Sequence, residues 1–173
     1  MFTSPSSVTL GGSRNLQPSP VIVHVVVALA QSGAALSVGC ATGADSQVIQ
    51  SAMSNLFATR LTVWAVGERG GQGFPSPASF ALVQAAHRAG ASVRWLAGGG
   101  LAIPLGARLA LRSQASLAGA SAAVFFVSSR LSRGSWGCAA HAAANGIPVF
   151  AFAEFQVSLS GLAPLPGCAG RGV

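Results

Sequence analysis

A chain of 173 residues accommodates one domain with a full core and is short for two. Its hydrophobic fraction of 51% excludes disorder of the whole chain, and its longest apolar run, Val21 to Ala30, is interrupted by His24 and far below the ~20 residues a membrane span needs. The formal charge is +7, every basic residue is arginine, and the only acids are Asp45, Glu68 and Glu154; this balance favours an anionic partner, nucleic acid being the usual one, and fits equally the compositional drift of GC-rich coding.

Val8 to Leu10 reads as a first strand, ending in Gly11-Gly12-Ser13-Arg14. Ser19-Pro20 has the form of an N-cap with proline in the first turn, and opens a helix that runs to about Gln31 and stops at Gly33. Ala35 to Gly39 is the second strand, followed by a helix from about Gly43 to Ser54. Leu61 to Val66 is the third strand, 68–79 a glycine- and proline-rich loop, and Phe80 to Arg88 a third helix. Ser92 to Leu96 is strand four. After Gly98-Gly99-Gly100, Pro104 opens a long helix to about Ala118. Ala122 to Val127 is strand five, apolar throughout as a strand covered on both faces should be. A loop from Ser128 to Ser135 leads to a helix over 136–145, and Pro148 to Ala153 is strand six.

Six strands alternating with five helices predict a Rossmann-like, doubly wound α/β domain over residues 1–153, with an irregular tail over 154–173. The expected strand order is 3-2-1-4-5-6. Ligands in such sheets bind beyond the carboxyl ends of the strands, where the order reverses. In that order the reversal lies between strands one and four and brings Gly11 to Arg14 near 97–100.

Three turns carry phosphate chemistry. In Gly12-Ser13-Arg14, glycine lets backbone N–H groups approach an anion and the guanidinium offers bidentate bonds to phosphate; an ordinary turn with a solvated arginine is the alternative. In Gly39-Cys40-Ala41-Thr42-Gly43-Ala44-Asp45, small residues present a helix N-terminus; Thr42 and Asp45 are spaced as a capping pair, so Asp45 either caps its helix or meets a ligand hydroxyl. The segment from Ser128 through Arg130, Ser132, Gly134 and Ser135 to Gly137 gathers hydroxyls, arginines and glycines at another helix start, against a plain surface loop with Ser135 as N-cap. Trp136 is placed to stack on a base or simply to pack. Arg108 and Arg112 stand one turn apart on one helix face. Cys40, Cys138 and Cys168 form no CxxC pair, and His24, His87 and His141 have no partner at ligand spacing. Neither a disulfide framework nor a metal or other cofactor is expected, and a reduced cytoplasm is the expected compartment.

In their order and spacing these segments resemble the Smf/DprA–LOG (SLOG) superfamily, and within it the DNA-processing protein A (DprA/Smf) Rossmann-like domain, from about Gly11 to Phe152. Gly12-Ser13-Arg14 looks like that family's first glycine-arginine turn. Val38 to Asp45 is similar to its "SGxAxGxD" segment, and 112–121 to its arginine-bearing "RNRxIAGLS" stretch, with Ser113 and Gln114 replacing the asparagine and second arginine. Gly134 to Ala139 resembles "SGSLxTA", and Pro148 to Phe152 the strand after it, whose final Pro-Gly is here Ala153-Glu154. The resemblance implies a pocket for a nucleotide or for single-stranded DNA, formed by Gly12, Ser13, Arg14, Cys40, Ala41, Gly43, Asp45, Arg112, Ser128, Arg130, Ser132, Gly134, Ser135 and Gly137; a homodimer is compatible with it. The LOG branch hydrolyses nucleoside monophosphates with a glutamate in "GGxGTxxE". His141 occupies that position here, so a binding domain is expected before a hydrolase.

Overall fold

The computed structural model describes residues 6–153; the tail expected over 154–173 lies outside them. Strands β1 (Ser7–Gly12), β2 (Ala35–Val38), β3 (Leu61–Trp64), β4 (Ser92–Arg94), β5 (Ala122–Val127) and β6 (Val149–Ala153) alternate with helices α1 (Pro20–Gln31), α2 (Ala44–Ser54), α3 (Pro77–Arg88), α4 (Leu105–Leu117) and α5 (Arg133–Ala144). All strand pairs are parallel. The fold is therefore α/β and Rossmann-like, as the alternation predicts.

The strand order is β4-β3-β2-β1-β5-β6, not 3-2-1-4-5-6. Strand β4 has three residues, two of them the exposed Ser92 and Arg94, and suits an edge. Strand β5 is buried at all six positions, and only a place with neighbours on both sides satisfies it. The reversal of order thus falls between β1 and β5. The turn after β4 is separated from β1 by β2 and β3 and takes no part in it.

Period-two alternation divides the side chains between the two faces. Val8, Leu10, Leu36, Val38, Leu61, Val63, Val124 and Phe126 point to one face and build the main core with Ile22 and Val26 of α1, Val48 and Ile49 of α2 and Val83 of α3. Ala123, Phe125 and Val127 point to the other face and meet Leu117 of α4 and Ala139 and Ala142 of α5. Helix α4 links the outer edge to the middle of the sheet. Its first half is fixed by Arg108, whose guanidinium is buried and donates to the carbonyls of Val66 (2.7 Å), Gly73 (2.9 Å) and Ile103 (2.9 Å). Arg108 is thus a tie between α4 and the loop after β3. Near the other end of the helix, Thr9 Oγ1 donates to the carbonyl of Ser116 at 2.6 Å. Among the described residues no helix is long and apolar enough to cross a membrane.

Two element boundaries, the end of β1 and the start of α5, differ from expectation in a way that matters for the site. Strand β1 continues through Gly11 and Gly12, which pair with Phe125 and Phe126, so the turn begins only at Ser13. Helix α5 begins at Arg133, with Ser132 in the capping position; Gly134, Ser135, Trp136 and Gly137 are helical and not loop.

Candidate anion-binding cleft

A cleft of about 1100 Å³ lies over the carboxyl ends of the paired strands β1 and β5, between them and α4 and α5. Thr9, Gly11 and Phe125 form its floor. Leu109, Arg112, Ser113 and Ser116 line it from α4, one stripe at helical spacing. Helix α5 contributes its first turn and, further along, Cys138 and His141. Arg14, Asn15, Thr42 and Leu131 also border it.

Ser13 organises the junction. Its hydroxyl is buried, donates to Ser132 Oγ at 2.8 Å and accepts from the Ser128 N–H at 3.0 Å. Its N–H donates to the Phe126 carbonyl at 2.9 Å, and its own carbonyl accepts from the Ala44 N–H at 3.1 Å. One residue thereby joins β1, the β5–α5 loop and the start of α2. Ser128 completes the loop by donating from its hydroxyl to Asn15 Oδ1 at 2.8 Å.

The two helix starts at this edge are in different states. At α2 the capping position is Gly43, held at φ 70° against the backbone of Ser13 and Arg14, where any side chain would collide. Thr42 does not cap; its hydroxyl donates to the Arg14 carbonyl at 3.1 Å. Asp45 Oδ2 accepts from the Ala41 N–H at 3.1 Å and from Arg112 Nη1 at 3.2 Å. The carboxylate of Asp45 therefore supplies the anion for the β2–α2 turn. The capping pair of Thr42 with Asp45 read from spacing is not formed.

At α5 the capping residue Ser132 makes no side-chain bond to the first turn, and its hydroxyl is engaged with Ser13. Four N–H groups at a helix start lack intrahelical acceptors; here those of Ser132 and Arg133 donate to the carbonyls of Ser129 and Leu131, and the cleft lies against the next two residues, Gly134 and Ser135. The partial positive charge of the helix end adds to the guanidiniums of Arg133 and Arg14, both exposed and both lining the cleft. Arg112 is over nine-tenths buried, and its Nε has no hydrogen-bond partner. Among the described residues, the only carboxylate lining the cleft is that of Asp45, already paired with Arg112.

Of the residues expected at the site, Gly12, Ser13, Arg14, Ala41, Asp45, Arg112, Ser132, Gly134, Ser135 and Gly137 line this one cleft. Cys40, Gly43, Ser128 and Arg130 do not. Cys40 turns into the main core, where burial pushes its thiol up from the ordinary range; its sulfur accepts from the Val66 N–H at 3.5 Å. Gly43 is closed off by the β1–α1 turn, and Ser128 serves the loop. Trp136, half-exposed, lies outside the lining, so it offers no stacking face to the cleft. Arg133, one of the two arginines of the 128–137 segment, lines the cleft as that reading expects, whereas Thr9, Asn15, Cys138 and the lining role of His141 have no counterpart in the sequence reading. The i, i+3, i+4, i+7 stripe Leu109-Arg112-Ser113-Ser116 was a legible signal for the α4 wall.

No family model matches the chain, and comparison with curated proteins and with solved structures finds no match either.

Proposed function

We propose that the chain is a non-catalytic binding domain that holds the phosphate of a nucleotide or of single-stranded DNA in this cleft, in the manner of the SLOG superfamily and its DprA/Smf branch. The observation that carries the reading is the start of α5, free of any side-chain cap and open to a cleft bordered by Arg14 and Arg133. Phosphate oxygens match that arrangement, since they accept from backbone N–H groups and from guanidinium alike. A carboxylate free to act would favour LOG-type hydrolysis of a nucleoside monophosphate. Among the described residues Asp45 is the sole carboxylate in the lining, and it is occupied by Arg112 and the Ala41 N–H, which supports binding over catalysis. A cytoplasmic compartment is part of the same proposal.

Native mass spectrometry of the purified protein tests for a co-purifying nucleotide. A titration with an oligothymidylate and with a nucleoside monophosphate, repeated across salt, separates the ligands. Polymer binding falls steeply with salt because counterions are released, and mononucleotide binding falls gently. Failure of both ligands to bind at millimolar concentration would remove the proposal.

A further inference from the structure

One end of the molecule sets exposed apolar side chains among arginines. All six strands are parallel, so the turns and helix starts that follow their carboxyl ends share one edge of the sheet. Strands β1 and β5 are neighbours, and the segments that follow them carry three of the eight exposed large hydrophobic residues of the described chain. Leu131, 84% exposed, sits in the β5–α5 loop, and Trp136, 37% exposed, at the start of α5. Val21, 40% exposed, lies in the first turn of α1.

The charge around these side chains has one sign. Arg14 follows β1 and Arg133 opens α5, and both are exposed. Among the described residues there are two acids. Asp45 is buried in its pair with Arg112. Glu68 follows β3, which β2 separates from β1. The anion chemistry of the cleft leaves the apolar side chains unexplained. An aliphatic group such as Leu131 gives a phosphate nothing to bond, and Trp136 lies outside the cleft lining.

We propose that this end of the molecule docks on an anionic lipid bilayer, with Leu131 and Trp136 inserted among the headgroups and Arg14 and Arg133 set against the lipid phosphates. Charge complementarity selects the occupant. The chain carries a formal +7, and a leaflet rich in anionic lipid holds a negative surface potential that attracts arginine. The apolar groups then decide between anionic partners. An indole settles at headgroup level, with its ring in the interface, and an aliphatic side chain beside it gains by reaching the acyl boundary. Nucleic acid would meet the arginines equally well. It offers no apolar phase to Leu131, because base stacking needs an aromatic ring. A folded protein partner would have to match the shape of separate prongs, whereas a fluid bilayer closes around them. Few side chains are inserted, so the association is weak and reversible. The inference goes beyond the nucleotide reading of the cleft and stands or falls without it.

The test is co-sedimentation of the full chain with vesicles, with circular dichroism of each variant. One set of vesicles mixes phosphatidylglycerol with phosphatidylcholine, and the other is phosphatidylcholine alone. The wild type is expected to sediment with the mixed vesicles and not with the neutral ones. Leu131→Ser removes an exposed side chain and needs no repacking; it is expected to weaken binding severalfold. Adding Trp136→Ser is expected to bring the loss to about tenfold or more. If the double variant does not fold, Leu131→Ser carries the test. Leu56→Ser is the control, because Leu56 is exposed between α2 and β3, at the amino ends of the strands; it is expected to bind as the wild type does. No sedimentation with the mixed vesicles overturns the proposal. Sedimentation that the serine variants retain in full overturns it as well, since bulk attraction of the +7 chain then accounts for the binding. An affinity for oligothymidylate that falls in those variants while vesicle binding does not gives the prongs to nucleic acid, and likewise overturns it.

Discussion

Gly39 and Arg112 occupy the same space: a Cβ on Gly39 would fall on the Arg112 guanidinium and against the Asp45 carboxylate. The absent side chain at the end of β2 is what admits a buried arginine from α4 to the carboxylate of α2. Gly39→Ala is therefore expected to expel the ion pair. Overpacking costs about 1–3 kcal/mol, and displacing a buried pair adds to it, so the loss should exceed that of alanine at the open position Gly106. Urea denaturation of the two variants makes the comparison.

The Asp45–Arg112 pair itself should behave as a unit. Removing one partner strands the other charge in the interior, at a cost of about 3–5 kcal/mol. Asp45→Asn and Arg112→Met are each expected to destabilise strongly, and the double variant to cost much less than their sum. Additive losses in a double-mutant cycle would show that the two groups are independently satisfied.

Much of this architecture was legible beforehand, because its signals are local. The six apolar positions of β5 and the Ser19-Pro20 helix start at α1 were read at their observed places. Strand order was not legible. It depends on which strand buries both faces, and three-residue β4 looked longer because Trp95 and Leu96 continue its apolar run while the chain is already turning. The candidate cleft was found as a set of segments and missed as a geometry. Nothing near Asp45 in the sequence indicates that its partner lies at 112, since a crossover helix brings them together.

Arg14 and Arg133 are exposed and should contribute to binding without contributing to stability. Each alanine variant should lie within about 0.5 kcal/mol of the parent in stability. A charge-assisted bond to phosphate is worth about 1.5–3 kcal/mol, which predicts roughly ten- to a hundredfold weaker binding for each. Arg60→Ala is the control, because Arg60 donates to the Gly33 carbonyl away from the cleft. Fluorescence anisotropy with a labelled oligothymidylate or nucleotide reads all three. Equal small losses would mean diffuse attraction with no defined pocket.

Two cysteines should differ in reactivity. Cys138 is partly exposed and lines the cleft, whereas Cys40 is buried with its thiol raised by desolvation. A thiol reagent should modify Cys138 in the native state, more slowly with ligand bound, and leave Cys40 untouched until unfolding; peptide mapping distinguishes them. The raised thiol has a signed consequence. Below the ordinary thiol range, about 8.5, both states are protonated and stability is unaffected. Above it the unfolded chain ionises first, so this contribution to stability is lost as pH rises. The alkaline slope should flatten in Cys40→Ala.

The placement of β5 beside β1 governs when the cleft comes into being. From β1 to β4 each new strand is laid next to the one before it, so that half can grow by successive short-range closures. The next strand must travel back across the sheet, and Ser7 meets Ser121 over a separation of 114 residues. Such a closure carries the largest loop entropy in the chain and belongs late in folding. The floor, the α4 wall and the α5 helix start all depend on it. A nascent chain that has emerged only as far as β4 thus holds half a core and no binding site.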